Sequence, residues 1–195
     1  MLQSLARLLV VSLCFAASAA FAANPQVELD TTAGKIRIEL YPDAAPKTVQ
    51  NFLDYVKAGH YNGTQFHRVI AGFMIQGGGY TEDYQQKPTR APVPIESQQS
   101  VKAGLSNVPG TVSMARTGDP NSATAQFFIN VANNKRLDFR SADPAGYGYT
   151  VFGKVVDGMD VVNKIAQSPT GPGGPFPTDV PKERVMIKSA KLVNG

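Results

Sequence analysis

Phe66-His67-Arg68-Val69-Ile70-Ala71-Gly72-Phe73-Met74-Ile75-Gln76-Gly77-Gly78 decides how the rest of the chain is read. It holds two short strand-like runs, residues 65–70 and 73–76, made of aromatic and aliphatic side chains. Two isolated long polar residues, Arg68 and Gln76, stand among them. A second concentration of the same kind lies downstream. Ser113-Met114-Ala115-Arg116 ends a run over 111–115, and Gln126-Phe127-Phe128-Ile129-Asn130 fills a run over 126–131. By themselves these runs read as sheet strands, with Arg68 open to either a structural or a chemical role.

Upstream, Val27 and Leu29 alternate with polar residues, Thr31-Thr32-Ala33-Gly34 makes a turn, and Ile36, Ile38 and Leu40 alternate again. That pattern predicts a hairpin of two half-buried strands. Pro46 then opens a helical stripe of Val49, Phe52, Leu53 and Val56, which Gly59 ends. Downstream, residues 150–155 read as a strand, Asp157-Gly158 as punctuation, and Met159, Val162 and Ile165 as a second short helix. Residues 168–181, rich in Pro and Gly, read as a surface loop. Val185, Ile187, Ala190 and Leu192 predict a closing strand whose alternation slips near Ser189. Many short strands with two helices, and no βαβ alternation, predict a mainly β antiparallel sheet or barrel with helices at its ends. Neither a 20–50-residue repeat nor an interdomain linker is visible.

The chain has 195 residues, 43% apolar and 17% charged, enough to bury a core without disulfides or metals. Its net charge of +4 is dispersed, so no nucleic-acid footprint is expected. Arg7, the apolar run Leu8 to Ala20 and the small-x-small triplet Ala20-Phe21-Ala22 predict a signal peptide over 1–22, leaving a domain over 23–195. The apolar run is shorter than the roughly 20 residues a membrane span needs. Cys14 is the sole cysteine, so the domain after Ala22 has none to oxidise.

Several chemistries lack their residues. Only His60 and His67 could serve as imidazole bases or ligands, and neither an H-E-x-x-H nor a G-x-S-x-G motif occurs. Gly77-Gly78-Gly79 and Gly171-Pro172-Gly173-Gly174 lack the Lys-Ser/Thr of a phosphate loop.

The segment Phe66 to Gly78, with Gln126-Phe127-Phe128-Ile129, Val151-Phe152-Gly153-Lys154-Val155 and Gly158-Met159-Asp160-Val161-Val162 in that order, resembles the cyclophilins. Ala115-Arg116-Thr117 and the leader resemble their bacterial periplasmic branch. The resemblance implies a closed eight-stranded antiparallel β-barrel capped by two α-helices. It implies a peptidyl-prolyl cis/trans isomerase acting on proline-containing polypeptides, in unfolded or loop segments. Neither cofactor nor metal is implied, and a periplasmic monomer is expected. By position, Arg68 is the implied catalytic arginine, and Phe73, Met74, Phe128 and Leu137 line the proline pocket. The resemblance further implies that Gln76, Gln126 and the backbone around Ala115 and Arg116 hold the substrate chain, with Tyr149, where many relatives carry histidine, among the substrate-binding residues. His67 is assigned to structure. The alternative is a peptide-binding or chaperone module with little turnover, which would not need Arg68.

The sequence departs from familiar eukaryotic members at Arg136, where many carry tryptophan, and at Arg116, often asparagine. Its segment 139–147 is also longer and more polar. Many members bind the cyclic peptide cyclosporin in this groove. Losing the tryptophan's flat wall and N–H donor predicts weak sensitivity here.

Overall fold

The computed structural model describes residues 23–194, so the leader expected over 1–22 lies outside the described residues. The predicted hairpin is present as β1 (Gln26–Thr31) and β2 (Gly34–Leu40), paired in register from Gln26↔Glu39 to Thr31↔Gly34. The apolar side chains Val27, Leu29, Ile36, Ile38 and Leu40 are all fully buried on one face. Helix α1 (Pro46–Lys57) follows. Its buried stripe turns slightly from the expected one: Tyr55 is buried, and Leu53 only packs against the core's margin. Ala45 cannot cap this helix, so a distant residue does. The Glu96 carboxylate accepts from the Lys47 and Thr48 backbone N–H groups (3.1 and 2.8 Å) and from the Thr48 hydroxyl (2.7 Å). An anion there satisfies orphan donors and complements the helix dipole.

The run expected over 65–70 divides into β3 (Thr64–Gln65) and β4 (Arg68–Ile70), with Phe66-His67 between them. Then come β5 (Met74–Gly77), α2 (Ser97–Lys102), β6 (Thr111–Met114) and β7 (Phe127–Asn130). A 3-10 turn (Lys135–Leu137), β8 (Val151–Asp157) and α3 (Met159–Ala166) follow. The chain ends with β9 (Thr170–Gly173), β10 (Phe176–Pro181) and β11 (Met186–Asn194).

Nine strands form one antiparallel sheet in the order β3-β11-β1-β2-β8-β6-β7-β5-β4. The end strands β3 and β4 are separated by only two residues in the chain, Phe66 and His67. A two-residue link spans only about 10 Å. The sheet is therefore strongly curled, with β3 and β4 at its two ends joined through this link. The resemblance implied eight strands; the sheet has nine, because the run expected over 65–70 is divided between β3 and β4. A single bridge, Thr64↔Thr81, and the Gln65 N–H to Tyr80 carbonyl bond (2.9 Å) stitch β3 to the continuation of β5. The slip foreseen near Ser189 is a bulge: Asp30 pairs with Ser189, but Thr31 with Ile187.

Two expectations change. Residues 168–181 are not a plain loop, since β9 and β10 form a two-stranded ribbon. There are also three α-helices among the described residues, not two. Helix α2 is held by hydroxyls, for example Ser100 to the Val151 carbonyl at 2.8 Å. Gly158 turns the chain from β8 into α3 at φ +84°, where a Cβ would lie 2.1 Å from the Lys35 carbonyl oxygen. Both the backbone angle and the space therefore require glycine.

Inside the curl, Phe52 meets Tyr61, Phe127 and Phe152 with ring centroids 5.1 to 5.6 Å apart. Phe66 closes against Phe127 at 6.1 Å. Burying each such ring contributes on the order of 1.5–3 kcal/mol. The interior of the curled sheet is filled by core, so any binding surface lies outside it.

Candidate active site

Strand register divides the site region into rows. Val69, Ile75, Ile129 and Val112 are mutual partners across β4, β5, β7 and β6, and all four belong to the interior core. One residue along, Arg68, Gln76, Phe128 and Ser113 form the adjacent row. Because side chains alternate across a strand, this row faces outward. Met74, two residues from Gln76 across the Ile75 row, pairs with Asn130 and also faces out. Met74 and Phe128 are only 2% and 4% exposed, yet neither belongs to the interior core. They are the floor of an external cavity.

That cavity has a volume of about 160 Å³ and is lined by Arg68, Phe73, Met74, Gln76, Ala115, Arg116, Phe128, Leu137 and Tyr149. It is smaller than the roughly 300 Å³ and upward of drug-sized ligand sites, and suits one side-chain-sized group. Of the residues expected at the site, only Gln126 does not line it. Gln126 is one bond behind: its Oε1 accepts from Gln76 Nε2 at 2.9 Å. Gln76 Oε1 in turn accepts from Arg68 Nη1 at 3.3 Å. The three side chains form a rail that aims the guanidinium along the cavity's polar edge. Arg68 is exposed and makes no ion pair among the described residues, so most of its donors remain open. Gly79 sets the rail's height. A Cβ there would lie 2.5–2.7 Å from the Gln126 side chain.

The apolar end is built differently. Tyr149 stands edge-on to Phe128 at 5.6 Å. Arg116 lies over the Tyr149 ring at 4.7 Å and donates from Nε to the Gly148 carbonyl at 2.9 Å. Ala115 N–H is taken by the Gln126 carbonyl (3.0 Å), which fixes the strand edge beside the cavity. Arg136 lies over Phe73 at 4.8 Å, so its guanidinium caps the ring at the rim.

Sequence reasoning missed the polar support under the site. Asn134 Nδ2 donates to the Phe73 carbonyl and to Asn130 Oδ1, both at 2.8 Å. Asn130 Nδ2 donates to Asn107 Oδ1 at 3.1 Å, and Ser113 Oγ to the same oxygen at 2.8 Å. Asn107 donates from its backbone and side chain to Asp138 Oδ1, at 2.7 and 2.8 Å. The chain of bonds joins the wall bearing Phe73 to the turn bearing Leu137. The spacing Asn130–Asn134 was the available signal, but isolated asparagines read as loop residues.

His67 lies in the link between β3 and β4. It is 3% exposed and packs against Tyr80 and Phe176 at centroid distances of 4.6 and 5.3 Å. Burial pushes its pKa down to about 4; a backbone bond at Gln65 opposes this, and the Arg68 charge adds to it. The ring is therefore neutral and structural at ordinary pH.

Residues 26–192 match the model of the cyclophilin-type peptidyl-prolyl cis-trans isomerases, and the chain belongs to that family. A peptidyl-prolyl cis-trans isomerase of Streptomyces antibioticus is 55% identical over 86% of this chain and 98% of its own. Peptidyl-prolyl cis-trans isomerase A of Dickeya dadantii is 50% identical over 97% of this chain and 96% of its own. A crystal structure of a Cryptosporidium parvum cyclophilin-type isomerase superposes with a TM-score of 0.68 at 27% identity, covering 88% of this chain and 99% of that one. The same protein was solved in the presence of the dipeptide Ala-Pro.

Proposed function

We propose that the chain is an exported peptidyl-prolyl cis/trans isomerase in which Arg68 is the catalytic group and the external cavity holds the proline ring. The observation that carries this reading is the placing of a guanidinium without an ion-pair partner, held by Gln76 and Gln126, at the polar edge of a small cavity that Phe73, Met74, Phe128 and Leu137 also line. Resonance sets a barrier of about 18–20 kcal/mol to rotation about a peptide bond. In the twisted state the prolyl nitrogen recovers its lone pair. An Arg68 N–H can donate to that nitrogen, and the guanidinium stays charged at any working pH. One preorganised donor of this kind is worth roughly 3–4 kcal/mol. Phe73, Met74, Phe128 and Leu137 anchor the ring while the preceding carbonyl swings. Gln76, Gln126, Arg116, Tyr149 and the backbone at Ala115 hold the flanking chain. No bond is made or broken, so the reaction itself asks for neither metal nor cofactor.

The same reading assigns residues 1–22 to a cleaved signal peptide, 23–195 to the enzyme, and the periplasm to the mature monomer. Three observations support it. The Dickeya relative's 97% coverage of this chain extends into residues 1–22, whereas the Streptomyces relative covers 86%. The sequence carries the Ala20-Phe21-Ala22 pattern. Among the described residues no helix is long and apolar enough to cross a membrane.

The test is exchange NMR on an Ala-Pro peptide with the full chain at catalytic amounts. Cis/trans exchange, slow on the scale of tens of seconds unaided, is expected to become fast enough to broaden or cross-correlate the two sets of peaks. A folded sample that binds the peptide without accelerating exchange would contradict the proposal.

A further inference from the structure

Beyond the proline cavity the site continues into a second, larger hollow of about 480 Å³. The two share Arg116, Leu137 and Tyr149 as walls, so the second lies next to the first, while Arg68 and Gln76 line only the first. Its walls include two guanidinium side chains, Arg116 and Arg136, and no carboxylate.

Both cations are held in place by rings. Arg116 is stacked 4.7 Å over Tyr149 and anchored through Nε and Nη1 to the carbonyls of Gly148 and Thr117 (2.9 and 2.8 Å). Arg136 is stacked 4.8 Å over Phe73. Neither has an ion-pair partner among the described residues. The nearby acids along the chain are engaged elsewhere. Asp138 accepts from Ser106 and Asn107, Asp143 from the Ala145 and Gly146 N–H groups, and Asp119 from the Asn121 N–H. Stacking fixes each guanidinium's plane; Arg116 keeps Nη2 open beside its two carbonyl bonds, and Arg136 keeps its edge donors open, so little ordering cost remains when an anion arrives.

We propose that this hollow is a substrate subsite for an acidic side chain, Asp or Glu, placed within two residues of the proline. A residue advances an extended chain by roughly 3.3–3.6 Å, so a carboxylate on a near neighbour of a proline seated in the first cavity reaches the second. The open edge of Arg136 and the remaining Nη2 donors of Arg116 match a carboxylate through charge-assisted hydrogen bonds. The inference rests on the isomerase reading of the first cavity, and it makes Arg136 and the side chain of Arg116 specificity-determining residues.

The experiment uses the full chain and short peptides with one Ala-Pro bond, carrying Glu or Gln at the second residue before the proline or the first or second after it. Shift titration by NMR gives each affinity, and exchange cross-peaks in the same samples report isomerisation independently. At one position or more, Glu is expected to bind about threefold or more tighter than Gln at low salt. The preference should fade near 1 M salt, where the Debye length is about 3 Å. Arg136→Gln and Arg116→Gln are each expected to reduce the preference, and Arg136→Lys to keep part of it. Equal affinity of Glu and Gln peptides at every position would overturn the proposal, as would a preference that survives both Gln variants. Failure of exchange with the Glu preference intact would strike the isomerase reading and leave the subsite standing.

Discussion

Phe127 and Phe128 are neighbours in β7 and are exposed by only 0% and 4%. Phe127 meets Phe52, Tyr61 and Phe66 inside the curled sheet, while Phe128 meets Tyr149 outside it. The same contrast runs through the rows: Val69, Ile75, Ile129 and Val112 face in, and Arg68, Gln76, Phe128 and Ser113 face out. Burial alone therefore does not separate core from site. The strand face does, because the period of two sends adjacent side chains to opposite sides. The inner face packs the core, and the outer face presents a cavity whose floor is almost as buried as the core.

The most forceful way to break this comparison is to truncate each ring in turn. Phe127→Ala should cost about 3–5 kcal/mol in chemical denaturation, the range for a core aromatic that leaves a cavity. Phe128→Ala should lose less than half of that, but should lower kcat/KM by roughly 10-fold or more, since a substrate ring loses its floor. Equal stability losses, or undiminished turnover in Phe128→Ala, would erase the distinction between the faces.

His67 sharpens the comparison at the link between β3 and β4. Its pKa is about 4 when folded, against 6.5 for a free imidazole. Between those values the unfolded chain binds the proton and the folded chain does not. The stabilisation is fully present above about pH 6.5 and is lost as pH falls towards 4, by roughly 3 kcal/mol in all. Denaturation midpoints measured from pH 7 to 4 should show that slope, and His67→Phe should flatten it. A wild-type curve flat across the window would show that His67 is not buried as a neutral ring.

The smallest effect is expected at the rim. Arg136 covers Phe73 by its guanidinium at 4.8 Å and offers no indole N–H. Cyclosporin should inhibit weakly, and Arg136→Trp should tighten inhibition by roughly 30-fold while leaving the melting temperature unchanged. Nanomolar inhibition of the unaltered protein would contradict this account of the rim.

Much of this was legible because local patterns and tertiary structure agree. The β1–β2 hairpin follows from strict alternation, and α1 from its stripe after Pro46. The slip near Ser189 appears as the bulge in β11. The site residues were named through resemblance; the register sets Arg68, Met74, Gln76 and Phe128 on one face of the sheet, and Phe73, Ala115, Arg116, Leu137 and Tyr149 line the same cavity from outside the strands. What stayed hidden depended on distant partners. Helix α2 has only six residues and no apolar stripe, and it exists because Ser97 and Ser100 reach the carbonyls of Tyr147 and Val151. The β9–β10 ribbon runs through Thr170-Gly171-Pro172-Gly173, a composition that reads as loop. Asn107, Asn130 and Asn134 are almost fully buried, yet nothing local distinguishes a structural asparagine network from turn residues.

The central claim is that the outer face carries chemistry the fold does not need. It is tested most directly by Arg68→Ala, measured for both kcat/KM on an Ala-Pro peptide and thermal unfolding. The account predicts a fall in kcat/KM of about 10²-fold or more, the cost of one preorganised donor, with a melting temperature within about 2 °C of the parent. A variant that melts as the parent does and turns over as fast would remove Arg68 from the reaction and contradict the account.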